Sequence, residues 1–188
     1  LYTDPPYSDK ISYAELNIVF ESWLGNGCTN TDNEMIVTKS GNKGIAEYAT
    51  MFSSFLSEAY RVLKPQSKLT IIFHNSSLEH WAYFQDVLLK SGFIPVNPNE
   101  LVRLISNSKT STQYQSERNS QCFLAFTLMK DDGHKSNLID LNDAEYVKLI
   151  NTLRQEAASL GFEAKCDQYD FIINKLLFKY KIKNHIVI

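Results

Sequence analysis

The sequence predicts an α/β fold: an open, mostly parallel sheet with a reversed strand at its edge, followed by a small helical appendage. Three observations predict it. Residues 68–74 (Lys-Leu-Thr-Ile-Ile-Phe-His) form a continuous apolar run of strand length, the pattern of a strand covered on both faces. Strand-like and helix-like periodicities alternate over residues 1–130, which implies parallel strands joined by right-handed crossovers. With 188 residues, 44% of them hydrophobic, and eleven Phe and ten Tyr, the chain can build one core with a small addition.

Residues 1–4 read as the end of a buried strand, stopped by Pro5 and Pro6, because proline cannot extend a central ladder. Residues 8–25 are aromatic-rich, with Tyr13, Phe20 and Trp23, and their apolar positions recur at helical spacing. Residues 25–44 are polar and carry Gly25, Gly27, Gly41 and Gly44, which predicts an exposed, mobile loop. A helix is predicted over 45–63, where Tyr48, Met51, Phe52, Phe55, Leu56, Ala59 and Leu63 fall at three- and four-residue steps before Pro65. After the strand at 68–74, Ser76 or Ser77 offers an N-cap to a helix that Gly92 stops. A short strand follows at 93–96, then a polar stretch at 99–120 and a strongly apolar strand at 121–130. No helix separates these last two strands, so they predict an antiparallel pair at the sheet edge. Residues 1–130 therefore form the main unit and 131–188 a C-terminal helical extension. In the extension, Tyr146, Leu149, Ile150, Leu153 and Ala157 mark one face of a helix ended by Gly161, and 169–180 is apolar with interspersed lysine. The extension is too small for a core of its own and is expected to pack on the main unit or on a missing half.

Net charge is −2 and the pI about 6.1, so the whole chain is not a basic nucleic-acid clamp. Lys175, Lys179, Lys181 and Lys183 make a local basic run, read as a solvated tail with phosphate contact as the alternative. Cys28, Cys122 and Cys166 lack C-x-x-C spacing, so neither a metal site nor a disulfide framework is indicated, and Cys122 is expected to be a buried small hydrophobe. The lack of a membrane-length apolar run or signal peptide predicts a soluble, cytoplasmic protein with no membrane partner. The chain opens on Leu1, inside a strand, and so reads as part of a longer protein.

The chemistry is concentrated in Asp4-Pro5-Pro6-Tyr7, directly after the first strand. In an open α/β sheet, ligands bind at the carboxyl ends of strands. The exocyclic amine of adenine or cytosine is a poor nucleophile, because its lone pair is delocalised into the ring. Asp4 offers a carboxylate to accept hydrogen bonds from such an amine. The Pro5 carbonyl offers a second acceptor, held by two successive prolines. Tyr7 offers a flat face on which an extruded base can stack. A metal is not required, since positioning and preset electrostatics supply the acceleration.

With the residues that follow, this motif resembles large bacterial adenine-specific DNA methylases. Thr3-Asp4-Pro5-Pro6-Tyr7-Ser8-Asp9 is followed by Tyr13-Ala14-Glu15-Leu16 and Phe20-Glu21-Ser22-Trp23-Leu24. The likeness continues through Glu58-Ala59-Tyr60-Arg61-Val62-Leu63-Lys64-Pro65 and Leu69-Thr70-Ile71-Ile72-Phe73-His74. It covers residues 1–130, making these the catalytic part of the domain. It implies a partial Rossmann-like methyltransferase sheet, with Asp4 after the fourth strand, residues 69–74 as the fifth, and the last two strands as a reversed edge. It also implies S-adenosylmethionine as cofactor, bordered by Asp4 and Pro5, and DNA as partner and substrate, with adenine N6 the favoured target and cytosine N4 the alternative. The family's glycine-rich cofactor loop and ribose-binding acid are absent, and Gly25-Asn26-Gly27 follows a helix instead of opening one. This chain alone is therefore expected to bind the cofactor weakly, and a non-catalytic methyltransferase-like subunit that needs a partner chain is the alternative reading.

Four further residues are candidates for the base pocket. His74 and Asn75 end a strand beside Asp4, and are expected to line the pocket, to order the Asp4 loop, or to be satisfied by backbone. Tyr13 and Trp23 read either as base or DNA-strand contacts or as core aromatics. His80 and Trp81 read as packing and surface residues at a helix start. Arg103, Lys109 and Arg118 lie where they could reach phosphates.

Overall fold

The structure, a computed structural model, describes residues 1–9, 11–25, 27, 31–38, 43–98, 102–105, 122–130 and 137–188. In chain order they form β1 (Tyr2–Thr3), α1 (Tyr13–Leu24), a 3-10 turn (Thr31–Asn33), α2 (Ile45–Val62), β2 (Lys68–Phe73), α3 (Leu78–Lys90), β3 (Phe93–Pro95), β4 (Val102–Ile105), β5 (Cys122–Lys130), α4 (Asp143–Ser159) and α5 (Lys165–Leu176). This is an α/β fold with one mixed, open, five-stranded sheet.

β1 pairs parallel with β2, matching Tyr2 to Thr70 and Thr3 to Ile71. On its other side β2 pairs antiparallel with β5 over Lys68–Phe73. β3 and β4 both pair antiparallel with the far side of β5, one beyond the other, so that together they act as one broken strand. The reversed strand is therefore interior, not the edge strand predicted from the sequence. The reason lies in the packing. In the β2–β5 register Leu69 faces Leu128, Ile71 faces Phe126 and Phe73 faces Leu124, and all six side chains are buried on one face. The three residues of β3 and four of β4 could not supply that match.

α2 and α3 cover this face. Phe84 is the hub. It stacks on Phe73 at 4.1 Å between centroids and on Phe52 of α2 at 5.1 Å, and meets Phe126 edge-on at 5.6 Å. Fully burying each such ring stabilises by about 1.5–3 kcal/mol. Lys130 of β5 closes the end of α2: its Nζ donates to the Tyr60 and Leu63 carbonyls at 2.7 and 3.0 Å and sits 4.5 Å from the Tyr60 ring centroid. Any side chain at Gly92 is strained there. Its φ is +81° and a Cβ would lie 3.0 Å from the Tyr60 ring.

The C-terminal segment is bound to α3 through one buried amide. Gln85 Nε2 donates to the carbonyls of Leu177 (2.7 Å) and Tyr180 (2.9 Å), while its Oε1 accepts from the Ile182 N–H (2.9 Å). Tyr146, Ile150, Tyr169, Ile172, Ile173 and Leu176 join the same hydrophobic cluster as the sheet. The basic run is not a loose tail. Lys175 lies in α5, 3.5 Å from Glu156; Lys181 pairs with Asp140 at 3.2 Å and Lys183 with Asp143 at 2.9 Å.

Part of the predicted mobile loop is packed. Ile36 is 5% exposed, Met35 and Val37 pack against the core, and Lys43 Nζ donates to the carbonyls of Asp32 and Glu34. Cys28, Lys109, Arg118 and the side chains of Arg103 and Cys122 lie outside the described residues. Among the described residues no helix is long and apolar enough to cross a membrane, and no group of His, Cys, Asp and Glu is placed to hold a metal ion.

Candidate active-site loop at the carboxyl end of β1

Because β1 and β2 are parallel, their carboxyl ends leave the sheet on the same side. Asp4 follows one and His74-Asn75 the other, so Asp4, Pro5, Pro6, Tyr7, His74 and Asn75 come together. Asp4 is exposed and Pro5 buried; Pro6 and Tyr7 are half-buried. The Tyr7 hydroxyl donates a hydrogen bond to Asp4 Oδ1. The Tyr7 ring meets Phe73 and His74 edge-on, with centroids 6.0 and 6.2 Å away, and tilts by 45° against Phe123 at 5.4 Å. Burial holds the Tyr7 phenol neutral far above its ordinary range; the bond to Asp4, the Asp4 charge and the phenols of Tyr13 and Tyr2 act in the same direction. Among the described residues Asp4 has no ion-pair partner.

Three backbone carbonyls anchor the turn after Pro5. The Tyr48 hydroxyl of α2 donates to the Pro6 carbonyl at 2.6 Å. Asn75 Nδ2 donates to the Tyr7 carbonyl at 3.3 Å and to Asp9 Oδ1 at 3.4 Å. The Ser8 carbonyl accepts from the Val37 N–H at 3.1 Å. Asn75 is itself fixed: its Oδ1 accepts from the Ser77 N–H at 2.8 Å and its carbonyl from Trp81 Nε1 at 2.9 Å. His80 Nε2 lies 4.0 Å from Asp9 Oδ1. Trp81 thus braces Asn75 while packed in the core, the packing role the sequence suggested, and His80 lies near Asp9. Ser8 is the strained point, with φ of 66° and a buried hydroxyl that has no hydrogen-bond partner among the described residues.

α1 starts beside the loop. Ser12 Oγ accepts from the Glu15 N–H, and Glu34 takes the Ala14 N–H at 3.3 Å and the Tyr13 N–H. Tyr13 is near enough to influence Tyr7. Trp23 is not brought to the loop: it lies ten residues on, about 15 Å at 1.5 Å per residue. Nor are these core aromatics, since Tyr13 is 47% and Trp23 88% exposed and Ala14 is the buried residue of the helix.

Tyr48, Glu34, Ser8 and Phe123 were not singled out from the sequence. Tyr48 carries a core periodicity, which gives no sign of what its hydroxyl meets. Clefts of about 420, 440 and 300 Å³ lie between α3 and the C-terminus, beside α5, and on the Thr70–Thr127 face of the sheet, and none is lined by Asp4, Pro5 or Tyr7.

These features define an α/β protein that presents a carboxylate–phenol pair on a braced loop at the carboxyl end of its parallel strands. No protein-family model, curated protein or solved structure matches the chain.

Proposed function

We propose that the chain carries the base-side half of a DNA amino-methyltransferase site, acting with S-adenosylmethionine on an exocyclic base amine, adenine N6 first and cytosine N4 by the same acceptors. One observation carries the reading. Asp4 stands exposed at the carboxyl end of a parallel strand, and its carboxylate already accepts a hydrogen bond from a neutral donor, the Tyr7 hydroxyl. An amine replacing that hydroxyl would meet the same acceptor.

In this mechanism an extruded base stacks on Tyr7 as its hydroxyl releases Asp4. Asp4 and the Pro5 carbonyl accept the amine hydrogens and concentrate the lone pair on nitrogen. The braced turn keeps both acceptors in place during the reaction. S-adenosylmethionine supplies the electrophilic methyl group. Among the described residues no cradle for it is formed: Gly25 ends α1 in a left-handed conformation, its N–H bonded to the Glu21 carbonyl, and opens no helix. In this reading the cofactor is held by a partner chain or by another part of the protein.

The test is methyl transfer to unmethylated duplex DNA by the full-length protein. Asp4→Ala is expected to lower kcat by about a hundredfold or more, the scale of losing one preorganised transition-state contact. Wild-type activity in that variant defeats the mechanism.

The exposed apolar surface of α1 favours a second reading, a non-catalytic subunit that docks on a catalytic partner. Submicromolar binding of S-adenosylmethionine by this chain alone, measured calorimetrically, would count against it.

A further inference from the structure

We infer that Tyr48 of α2 is the positioning residue of the Asp4–Tyr7 loop, clamping the backbone just before Tyr7 through its hydroxyl. This rests on the reading that the loop presents hydrogen-bond acceptors to a substrate amine. The Tyr48 hydroxyl donates to the Pro6 carbonyl at 2.6 Å. Pro6 and Ser8 are the neighbours of Tyr7, and the Tyr7 carbonyl is held by Asn75. The backbone of the turn is thus tied at successive residues, while the Tyr7 ring packs against Phe73, His74 and Phe123.

Only a hydroxyl at the end of a rigid ring serves here. The group must carry a donor to the Pro6 carbonyl at the far end of a buried ring, which phenylalanine lacks. The ring is 4% exposed and parallel to Phe52, 5° between planes at 6.2 Å. Its reach is therefore set by the packing of α2. The clamp makes a surface loop as rigid as the core beneath it. That rigidity is what a site needs when a 1 Å displacement of an acceptor costs about a hundredfold in rate.

Tyr48→Phe keeps the ring and removes the clamp. In the full chain, amide hydrogen exchange at Ser8 and Val37 is expected to accelerate by about tenfold or more, with Phe52–Ala59 of α2 as protected as before. In methyl transfer by the full-length protein, kcat should fall about tenfold or more with KM for S-adenosylmethionine unchanged. Leu56→Val, a buried change on the same helix with no polar atom involved, should lower the melting temperature and leave Ser8 exchange and kcat near wild type. Unchanged Ser8 and Val37 protection in Tyr48→Phe overturns the clamp. Lost protection with wild-type kcat overturns its role in positioning, as does an equal loss of kcat in Leu56→Val. If the wild-type protein transfers no methyl group, the methyltransferase reading fails on its own, and the exchange measurement still decides whether Tyr48 holds the loop.

Discussion

Among single residues, Ser8 carries the clearest local cost. A side chain at φ of 66° is disfavoured by about 1–2 kcal/mol relative to right-handed backbone, and its hydroxyl is buried with no partner among the described residues. Glycine pays no such steric cost but adds freedom to the unfolded chain. The two effects leave a net gain, so Ser8→Gly should stabilise by about 1 kcal/mol, raising the melting temperature by roughly 2–4 °C. A fall in melting temperature would show that Ser8 is not strained. Gln85 works the other way. Its amide satisfies two carbonyls and one N–H of the C-terminal segment in a buried setting, so Gln85→Leu should cost about 3 kcal/mol. Urea midpoints measure the cost, and limited proteolysis after Leu176 should become faster. The loop motif was legible in the sequence because its residue types are chemically specialised. Ser8, Gln85 and Tyr48 were not, because the partner of a polar atom can lie 42 to 97 residues away and leaves no local pattern.

Among the elements, α2 and α4 were legible from the period of the side chains they bury, β2 from its continuous apolar run and α3 from its cap and the stopping Gly92. Two others show where periodicity stops informing. The apolar run of β5, with no helix before it, predicts an antiparallel partner in β3, which the register bears out, but not the pairing with β2 on its other side, so its interior place emerged only from the register. α1 has helical spacing and apolar residues, but spacing cannot say whether anything covers them. Leu16, Val19, Phe20, Trp23 and Leu24 are each 57–88% exposed. A 12-residue helix is marginal in water without a packed face. A surface of this kind marks an association site. Replacing Phe20 and Trp23 with serine should therefore shift stability by no more than about 0.5 kcal/mol each and reduce self-association in sedimentation. A loss of about 3–5 kcal/mol for Trp23 would show that the ring is packed in the folded monomer.

At the scale of the whole molecule, the sheet, α2, α3 and the C-terminal helices share one core, and buried phenols stand at its main junctions. Tyr48 joins α2 to the Asp4 loop, while Tyr146 and Tyr169 join the C-terminal helices to the cluster. Burial raises the pKa of each above its ordinary value near 10. In the unfolded chain these phenols release their protons near pH 10, whereas the folded chain keeps them. The folded state thus binds more protons above that pH, and stability that is complete below it falls as pH rises. Each fully buried tyrosine contributes up to about 1.4 kcal/mol per pH unit to the fall. The chain should accordingly unfold cooperatively in alkali. The phenolate absorbance of Tyr48 and Tyr169 should appear together with the loss of circular dichroism, after the exposed tyrosines have titrated. If every tyrosine titrates reversibly near pH 10 while the helical signal stays intact, the phenols are not buried at these junctions. The shared core, and with it the bracing of the Asp4 loop from α2, would then be wrong.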